Sequence, residues 1–449
     1  MRSSYSDAEQ GLCRVSIDTE TSGTSRALNL AFNLPSHLMH IAFINQFFWP
    51  DTAATGQMLA DLSRAIGAEG NEVKTTVICG NSDYGIQDTT SPPPSRILRT
   101  GCLRFSRGVL GRLLSYGSFI AGAVWNSHRI ERPDIIITLT TPPLISVLGH
   151  MIKLMRDCEH YIWEMDVYPD IAVDLEVLRR DSMLTSIIGF FADWARRHAD
   201  GIIVLGDDMK ARLIARGIPE GRIFVAENWA NGNEITPRPF PEGRFVVHYS
   251  GTLGLVHDID TITGAMNRLR NDPRFCFTFA GGGARREYLE NYCQKHGIKN
   301  VIFRPYCSRG ELGSSLSEGH IGLVTQLPQT CGSVVPSKTY GIMAAGRPIL
   351  YVGPADSTPA RIIGHHSCGW RIDPSDVNGL VRLLEHLEGD RKLVHNIGRN
   401  SRQAFEQHYD VRIGTRRIIN ILSVKHPHVL TDHSRRDSIP AFVVSDTSR

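Results

Sequence analysis

The sequence predicts an α/β protein in which two doubly wound, Rossmann-like parallel sheets face each other across a central cleft. Short apolar runs alternate with segments of helical periodicity along most of the chain. A proline- and glycine-rich stretch without periodicity, residues 231–243, divides this alternation into two series. The 449 residues suffice for about two or three domains, and a hydrophobic content of 41% is typical of globular proteins.

The first series predicts a domain over residues 39–230. A buried strand, "HIAFINQFF", precedes a helical segment that ends at glycine, and a second strand, "EVKTTVICG", follows. Further strands are predicted at residues 134–140, 160–165 and 201–206. The serine- and threonine-rich residues 1–38 predict a disordered leader, and Met39 is a candidate translation start.

The second series predicts a domain over residues 244–424, joined to the first by the linker 231–243. Six helical segments accompany its strands, and the polar residues 425–449 predict a disordered tail. The predicted strands are "RFVVHYSG", "FCFTFAGG", "VIFRPY", "IGLVTQ", "RPILYVG" and "GWRID".

Composition excludes several classes of protein. The 49 Lys and Arg against 46 Asp and Glu leave a net charge of +3, which argues against a nucleic-acid partner. The nine cysteines form no CxxC pair, so we expect neither a zinc site nor a disulfide framework, but reduced thiols in the cytoplasm. No apolar run reaches the length of about 18 residues that spans a bilayer.

Two glycine-containing loops carry candidate anion-binding groups. Gly251 and Gly254 follow one strand, and Gly281–Gly283 follow the next, with Arg285 and Arg286 at the following helix start. Glycine lets a diphosphate approach the backbone closely, although plain strand-to-helix turns use the same residues. The pattern is not GxGxxG, which disfavours a dinucleotide-dependent oxidoreductase.

The segment "SVVPSKTYGIMAAGRPIL" places Ser337 and Lys338 at a helix start, where an anion is stabilised. In the first domain, Glu164, Asp166 and Asp170 cluster after a strand. Asp166 is the best candidate for a general base or for a group that positions a hydroxyl; the alternative is helix capping and solvent-facing charge.

The stretch from Arg96 to Arg132 contains seven arginines and one glutamate among apolar residues. It suits an anionic membrane surface, but an amphipathic helix packed on the sheet with its arginines outside is equally natural. We expect a mixture, in which "GRLLSYGSFIAGAVWNSHR" packs and the Arg-rich front touches lipid.

Over roughly residues 39–424, the chain resembles family 4 glycosyltransferases of the GT-B architecture, closest to bacterial members of exopolysaccharide and O-antigen assembly. The resemblance rests on the order and spacing of several motifs. These are "FFWPDTAATGQMLADLSRAI", "DVYPDIAVDL", "VAENWAN", "YSGTLGLVHDIDTI", "FAGGGARREYLE" and "VPSKTYGIMAAGRPIL".

The resemblance implies metal-independent, cofactor-free transfer, with retention of configuration, from a nucleotide sugar to a lipid-linked saccharide. UDP is favoured over GDP as the donor nucleotide, and the enzyme would act at the inner face of the cell membrane. Asp166 would be catalytic, and Gly56 and Gln57 would bind the acceptor. The donor would contact Gly251, Thr252, Gly254, Gly282, Arg286, Pro305, Tyr306, Pro336, Ser337, Lys338 and Gly341.

The chain departs from the family pattern at several positions. The paired glutamates would fall at Ser333 and Gly341, and the arginine that follows the first glycine is Thr252. Its lysine partner would fall near His257 and Asp258. These losses keep open one alternative, a catalytically silent binding partner in a polysaccharide assembly complex. A second alternative is a nucleotide-sugar epimerase of the same fold, which would need several acid/base groups at the cleft, and the sequence offers too few of them.

Overall fold

A computed structural model describes residues 38–68, 73–81, 91–103 and 109–424. The predicted disordered leader, apart from Leu38, and the predicted tail at 425–449 lie outside these residues, as do Arg104 and Arg107 of the Arg-rich stretch. The eight cysteines in the described ranges are all free thiols.

The first domain is built on a seven-stranded parallel sheet in the order β3-β2-β1-β4-β5-β6-β7. Its central strands are buried along their whole length, as expected for a sheet that helices cover on both faces. The strands are β1 (Met39–Ile44), β2 (Val73–Cys79), β3 (Arg96–Arg99), β4 (Ile135–Thr138), β5 (Glu159–Glu164), β6 (Gly201–Val204) and β7 (Ile223–Val225). The helices are α1 (Ala54–Ala68), α2 (Val109–Ser127), α3 (Ile145–Arg156), α4 (Asp170–Asp174), α5 (Met183–His198) and α6 (Asp207–Ala215).

The second domain carries a six-stranded parallel sheet in the order β10-β9-β8-β11-β12-β13. Its strands are β8 (Phe245–Ser250), β9 (Phe275–Ala280), β10 (Val301–Arg304), β11 (Ile321–Thr325), β12 (Ile349–Val352) and β13 (Gly369–Ile372). Its helices are α7 (Asp260–Arg268), α8 (Arg286–Lys295), α9 (Leu312–Leu316), α10 (Lys338–Ala344), α11 (Thr358–His366), α12 (Val377–Gly389) and α13 (Arg391–Ala404), and α14 (Val411–Ser423) ends the described chain. The two doubly wound sheets confirm the predicted fold class.

Two features differ from the sequence prediction. The Arg-rich stretch opens with the edge strand β3, which pairs with β2, so its front is part of the sheet. Helix α14, counted with the second domain in the prediction, instead buries Ile418, Ile419 and Leu422 in the core of the first domain. Periodicity shows that a helix has an apolar face, but it does not show which sheet that face covers.

The carboxyl ends of the two sheets meet. Asp166, just after β5, forms an isolated antiparallel bridge with Val334, which follows β11. The amide of Val167 donates to the Ser333 carbonyl at 2.8 Å. Ligand sites of open α/β sheets lie at this edge, so the loops that meet here form the candidate site.

Replacing Gly414 of α14 by alanine tests the packing of this helix on the first domain. A Cβ at Gly414 would stand 2.3 Å from the buried Trp229 ring, which cannot shift freely because its indole N–H donates to Asp61. We expect Gly414→Ala to lower the free energy of unfolding by about 1–3 kcal/mol, measured by urea denaturation.

Gly364→Ala in helix α11 is the matched control. A Cβ there has no neighbour within 4 Å, so the helix propensity of alanine should raise stability by about 0.5–1 kcal/mol. Equal effects of the two substitutions would contradict close packing of α14.

Candidate functional site

Two glycine loops of the second domain approach each other at the carboxyl ends of β8 and β9. Gly251 has a φ of 121°, and Gly281 and Gly283 each have a φ of 126°, which other residues rarely adopt. A Cβ at Gly281 would stand 2.2 Å from the Gly251 carbonyl oxygen, and one at Gly283 would stand 2.3 Å from that of Leu253. Both positions therefore require glycine.

Hydrogen bonds join these loops and bring several predicted donor residues together. The Leu253 amide donates to the Gly282 carbonyl at 2.7 Å, and the Arg285 amide donates to the Leu253 carbonyl at 3.0 Å. The exposed Tyr306 phenol lies 2.9 Å from the Thr252 hydroxyl, and its ring covers Gly282. The two loops, Gly251–Gly254 and Gly281–Gly283, therefore form one surface, which we call the glycine floor. The Tyr306 ring lies at its edge.

Lys338 points its side chain to this floor from the start of α10. Its Cε would stand 3.0 Å from a Cβ at Gly251, and its Nζ lies 3.5 Å from Nε2 of His257 and 5.3 Å from the centre of the Tyr249 ring. Burial lowers the pKa of Lys338 to about 8. No acid in the described part of the chain forms an ion pair with it, so an anionic ligand would find a partly desolvated and unpaired cation here.

His257 is a buried neighbour of this lysine. Its Nδ1 lies 2.9 Å from the Thr325 carbonyl, and its Nε2 lies 3.1 Å from the Thr252 carbonyl and 3.5 Å from the Lys338 Nζ. Burial, reinforced by the lysine charge, lowers the pKa of His257 to about 3. The sequence analysis had considered this position only as the place of a missing lysine; the polar residue in the loop after Gly251 was the available signal.

Arg286 is less available than predicted. Its Nε is 2.7 Å from a Glu290 carboxylate oxygen, and its guanidinium donates to the carbonyls of Gly281 and Arg304. It therefore braces the loop after β9. Arg285, by contrast, has a buried Nε without a hydrogen-bond partner among the described residues, so it is the more available of the two arginines that the sequence places at this helix start.

The two positions where the resemblance places glutamates serve packing. The fully buried Ser333 donates its hydroxyl to Asp174. Gly341 lies in α10, where a Cβ would stand 3.3 Å from Leu316 and 3.9 Å from Ile235, so its surroundings are apolar. Neither position offers a polar side chain to a ribose.

The remaining predicted donor residues lie close to the loops. Pro305 is exposed beside Tyr306, Ser337 is exposed before α10, and the Pro336 carbonyl accepts from the Thr339 hydroxyl at 3.0 Å. Gly254 has open space where a Cβ would stand.

The predicted acceptor residues lie in the first turn of α1. Gly56 is buried, and a Cβ there would stand 3.2 Å from the Phe47 backbone, so this glycine allows close packing of the helix on its loop. The Gln57 side chain donates to the Thr52 carbonyl at 3.1 Å. Their contact with an acceptor stays a prediction.

Of the three clustered acids, two are bound in ion pairs. Glu164 accepts from the buried Arg196 at 2.7 Å, and Asp170 accepts from Arg216 at 2.8 Å. Asp166 has no cationic partner in the described ranges. Burial, with the nearby charge of Glu164, raises the pKa of Asp166 to about 6.

Within the described residues, no group of three or more His, Cys, Asp and Glu side chains is placed to hold a metal ion. Metal independence stays a prediction. No helix in the same ranges is both long and apolar enough to cross a bilayer.

Comparisons with known proteins agree with this geometry. Residues 232–404 match the family described as glycosyl transferases group 1, so the second half of the chain is a domain of this type. The chain is 28% identical over 342 residues to a probable glycosyltransferase, WbjE, of Pseudomonas aeruginosa, covering 71% of this chain and 83% of WbjE. It is 24% identical over 258 residues to WcaI of Escherichia coli K12, a putative colanic acid biosynthesis glycosyl transferase, covering 53% of this chain and 62% of WcaI.

Solved structures show the same fold at low identity. Sucrose-phosphate synthase from Thermosynechococcus elongatus superposes with a TM-score of 0.71 at 15% identity, over 86% of this chain and 99% of that chain. HepE of Anabaena in complex with UDP-glucose superposes with a TM-score of 0.62 at 15% identity, over 86% of this chain and all of HepE. The fold is therefore GT-B.

Asp166→Asn should stabilise the protein at neutral pH. The folded-state pKa of about 6 lies above the ordinary value near 4, so stability falls as the pH rises through this interval and Asp166 ionises without a partner. We expect the free energy of unfolding of the asparagine variant, measured by denaturant unfolding, to exceed that of the wild type by about 1–2 kcal/mol at pH 7 and to equal it at pH 4.

Asp170→Asn is the matched control, because the same change there removes one of the two carboxylates that Arg216 contacts, the other being Asp193. The free energy of unfolding of this variant should be about 1–3 kcal/mol lower than that of the wild type at pH 7. A loss of stability in both variants would show that Asp166 has a cationic partner after all.

Proposed function

We propose that this protein is a retaining glycosyltransferase that moves a sugar from a nucleotide-sugar donor, UDP- rather than GDP-linked, to a lipid-linked saccharide in cell-surface polysaccharide synthesis. The observation that carries this proposal is the unpaired Lys338 beside the glycine floor, in a domain that matches group 1 glycosyl transferases. The names of WbjE and WcaI and the UDP-glucose complex of HepE support the reaction class and the donor.

In the proposed complex, the donor diphosphate lies on the glycine floor. Amides of the loop from Gly251 to Gly254 and the Lys338 ammonium neutralise its charge, and the base stacks near Pro305 and Tyr306. With Gly341 in place of an acid, the ribose is held by backbone groups.

The reaction breaks the bond between the anomeric carbon and the diphosphate and forms a bond from that carbon to the acceptor hydroxyl oxygen. The acceptor proton passes to the departing phosphate oxygen, so no strong protein base is required. Lys338 stabilises the charge that develops on the leaving group. Asp166, across the cleft, orients the acceptor hydroxyl as a carboxylate.

Membrane contact through residues 96–132, at the inner face of the membrane, belongs to this proposal. Arg96 on β3 and Arg112 on α2 are exposed, whereas Arg99 donates to the carbonyls of Trp49 and Gly80. The lipid-linked acceptor would reach the first domain from this side.

The loss of both family glutamates favours a second candidate, a binding partner without transferase activity. Incubation of the protein with radiolabelled UDP- and GDP-sugars and bacterial lipid extract tests transfer directly. Calorimetry with UDP and GDP then separates the cases, since the silent partner is favoured if neither binds at millimolar concentration.

Lys338→Ala should reduce transfer more than tenfold, because it removes the cation that meets the diphosphate. It should also weaken UDP binding in calorimetry while leaving the thermal unfolding midpoint unchanged or higher, since a desolvated charge is lost. Lys295→Ala, an exposed lysine at the end of α8, is the control and should match the wild type. Normal donor affinity and turnover in Lys338→Ala would rule out the phosphate role.

Asp166→Asn should lower turnover more than donor affinity. If the carboxylate form is required, the wild-type turnover falls as the pH drops through about 6, and this acidic limb is absent from the asparagine variant. A pH profile of kcat checks this expectation. Reduced donor affinity with normal turnover would place Asp166 on the donor side instead.

A further inference from the structure

Three helices of the first domain expose an unusual amount of apolar surface. Of the 21 large apolar side chains that are exposed among the described residues, twelve lie on α2, α3 and α5. Met183 is 78% exposed, and Trp125 and Leu154 are each 68% exposed. The twelve are Leu113, Leu114, Val124, Trp125, Met151, Leu154, Met155, Met183, Leu184, Ile187, Phe190 and Phe191, which together we call the apolar face.

The three helices lie side by side, so these side chains share one surface. Helix α3 packs on α5, with the His150 ring edge-on to the Trp194 ring at 4.5 Å between centres. On its other side α3 is tied to α2, because Arg156 donates to the Ser127 carbonyl at 3.1 Å. Contiguous apolar surface of this extent marks an interaction site in a water-soluble domain.

The charge on these helices has one sign. Asp193 is the only acid in α2, α3 and α5, and it is buried against Arg216 at 2.7 Å. Exposed Arg112 and Arg197 flank the apolar side chains. Two exposed acids lie just outside these helices: Asp157 after α3, which is paired with Arg132, and Asp181 before α5.

We propose that the apolar face docks this domain onto an anionic lipid bilayer. Apolar side chains enter the boundary between headgroups and acyl chains, and the flanking arginines meet anionic headgroups. A second copy of the chain fits less well, because a two-fold interface would set basic rims against each other with no exposed acid on these helices to pair them. The inference rests on the proposed function for its lipid-linked acceptor, and it moves the main membrane contact from the β3 front to the helices.

The apolar face continues toward the candidate site. Arg112 and Tyr116 of α2 are electrostatic neighbours of the Tyr168 phenol, which lies two residues beyond Asp166. A domain docked by this face would hold the entrance to Asp166 near the bilayer surface, where a lipid-linked saccharide presents its sugar.

Vesicle flotation tests the proposal. We expect the wild type to float with vesicles of phosphatidylcholine mixed with phosphatidylglycerol and to remain below vesicles of phosphatidylcholine alone. The double variant Leu154→Glu, Phe190→Glu places two acids on the apolar face and should bind the mixed vesicles at least tenfold more weakly. Ile302→Glu, at a 38% exposed position of β10, the edge strand of the second domain, is the control and should float like the wild type.

Three results would overturn the proposal. They are the absence of wild-type flotation, equal flotation with both vesicle types, and undiminished flotation of the double variant. A concentration-dependent dimer that the double variant abolishes, without vesicle binding, would assign the face to a second copy. UDP calorimetry on the same variants should be unchanged, so a failure of docking stays distinct from a failure of donor binding.

Discussion

The buried guanidinium of Arg196 is the constraint on which the candidate site depends. A buried charge is costly unless it is paired, and here the cost is met by bonds to Glu164 and Asp193. The pairing extends outward through alternating charges until it reaches the second domain. Each side chain in this series contacts the next: Glu164, Arg196, Asp193, Arg216, Asp170, Arg212, Asp174 and Ser333. Arg212 also donates to the Cys331 carbonyl.

This network separates structural acids from the functional candidate. Glu164 and Asp170 carry the same charge and lie near Asp166 in sequence, but both are occupied by arginines. Asp166 is left beside the buried negative charge of Glu164, which helps to raise its pKa. The network also includes Ser333, the position at which the resemblance places a glutamate. This serine therefore takes part in joining the two domains.

The sequence predicted the alternation of strands and helices well, because buried parallel strands are continuous apolar runs. It missed β3, since an edge strand with arginines at both ends lacks that signal, and it assigned α14 to the wrong sheet. For the candidate site, strand ends predicted the glycine loops and Asp166, and a helix start predicted Lys338; their roles stay predictions. The sequence could not show that Arg286 donates to backbone carbonyls or that His257 is a neutral neighbour of the lysine, because both features depend on contacts between segments that are distant in sequence.

Lys338 and Asp166 share one property that sets them apart from the charges around them. The pKa of the lysine is lowered and that of the aspartate is raised, so burial disfavours the charged form of each. They do not neutralise each other, since no ion pair joins them in the described chain. A ligand that brings negative charge to the lysine and a hydroxyl to the carboxylate would stabilise the charged forms of both side chains. A nucleoside diphosphate sugar with a saccharide acceptor has these two features. The network around Arg196 keeps Glu164 and Asp170 paired with arginines, so that neither acid neutralises Lys338 in place of the ligand.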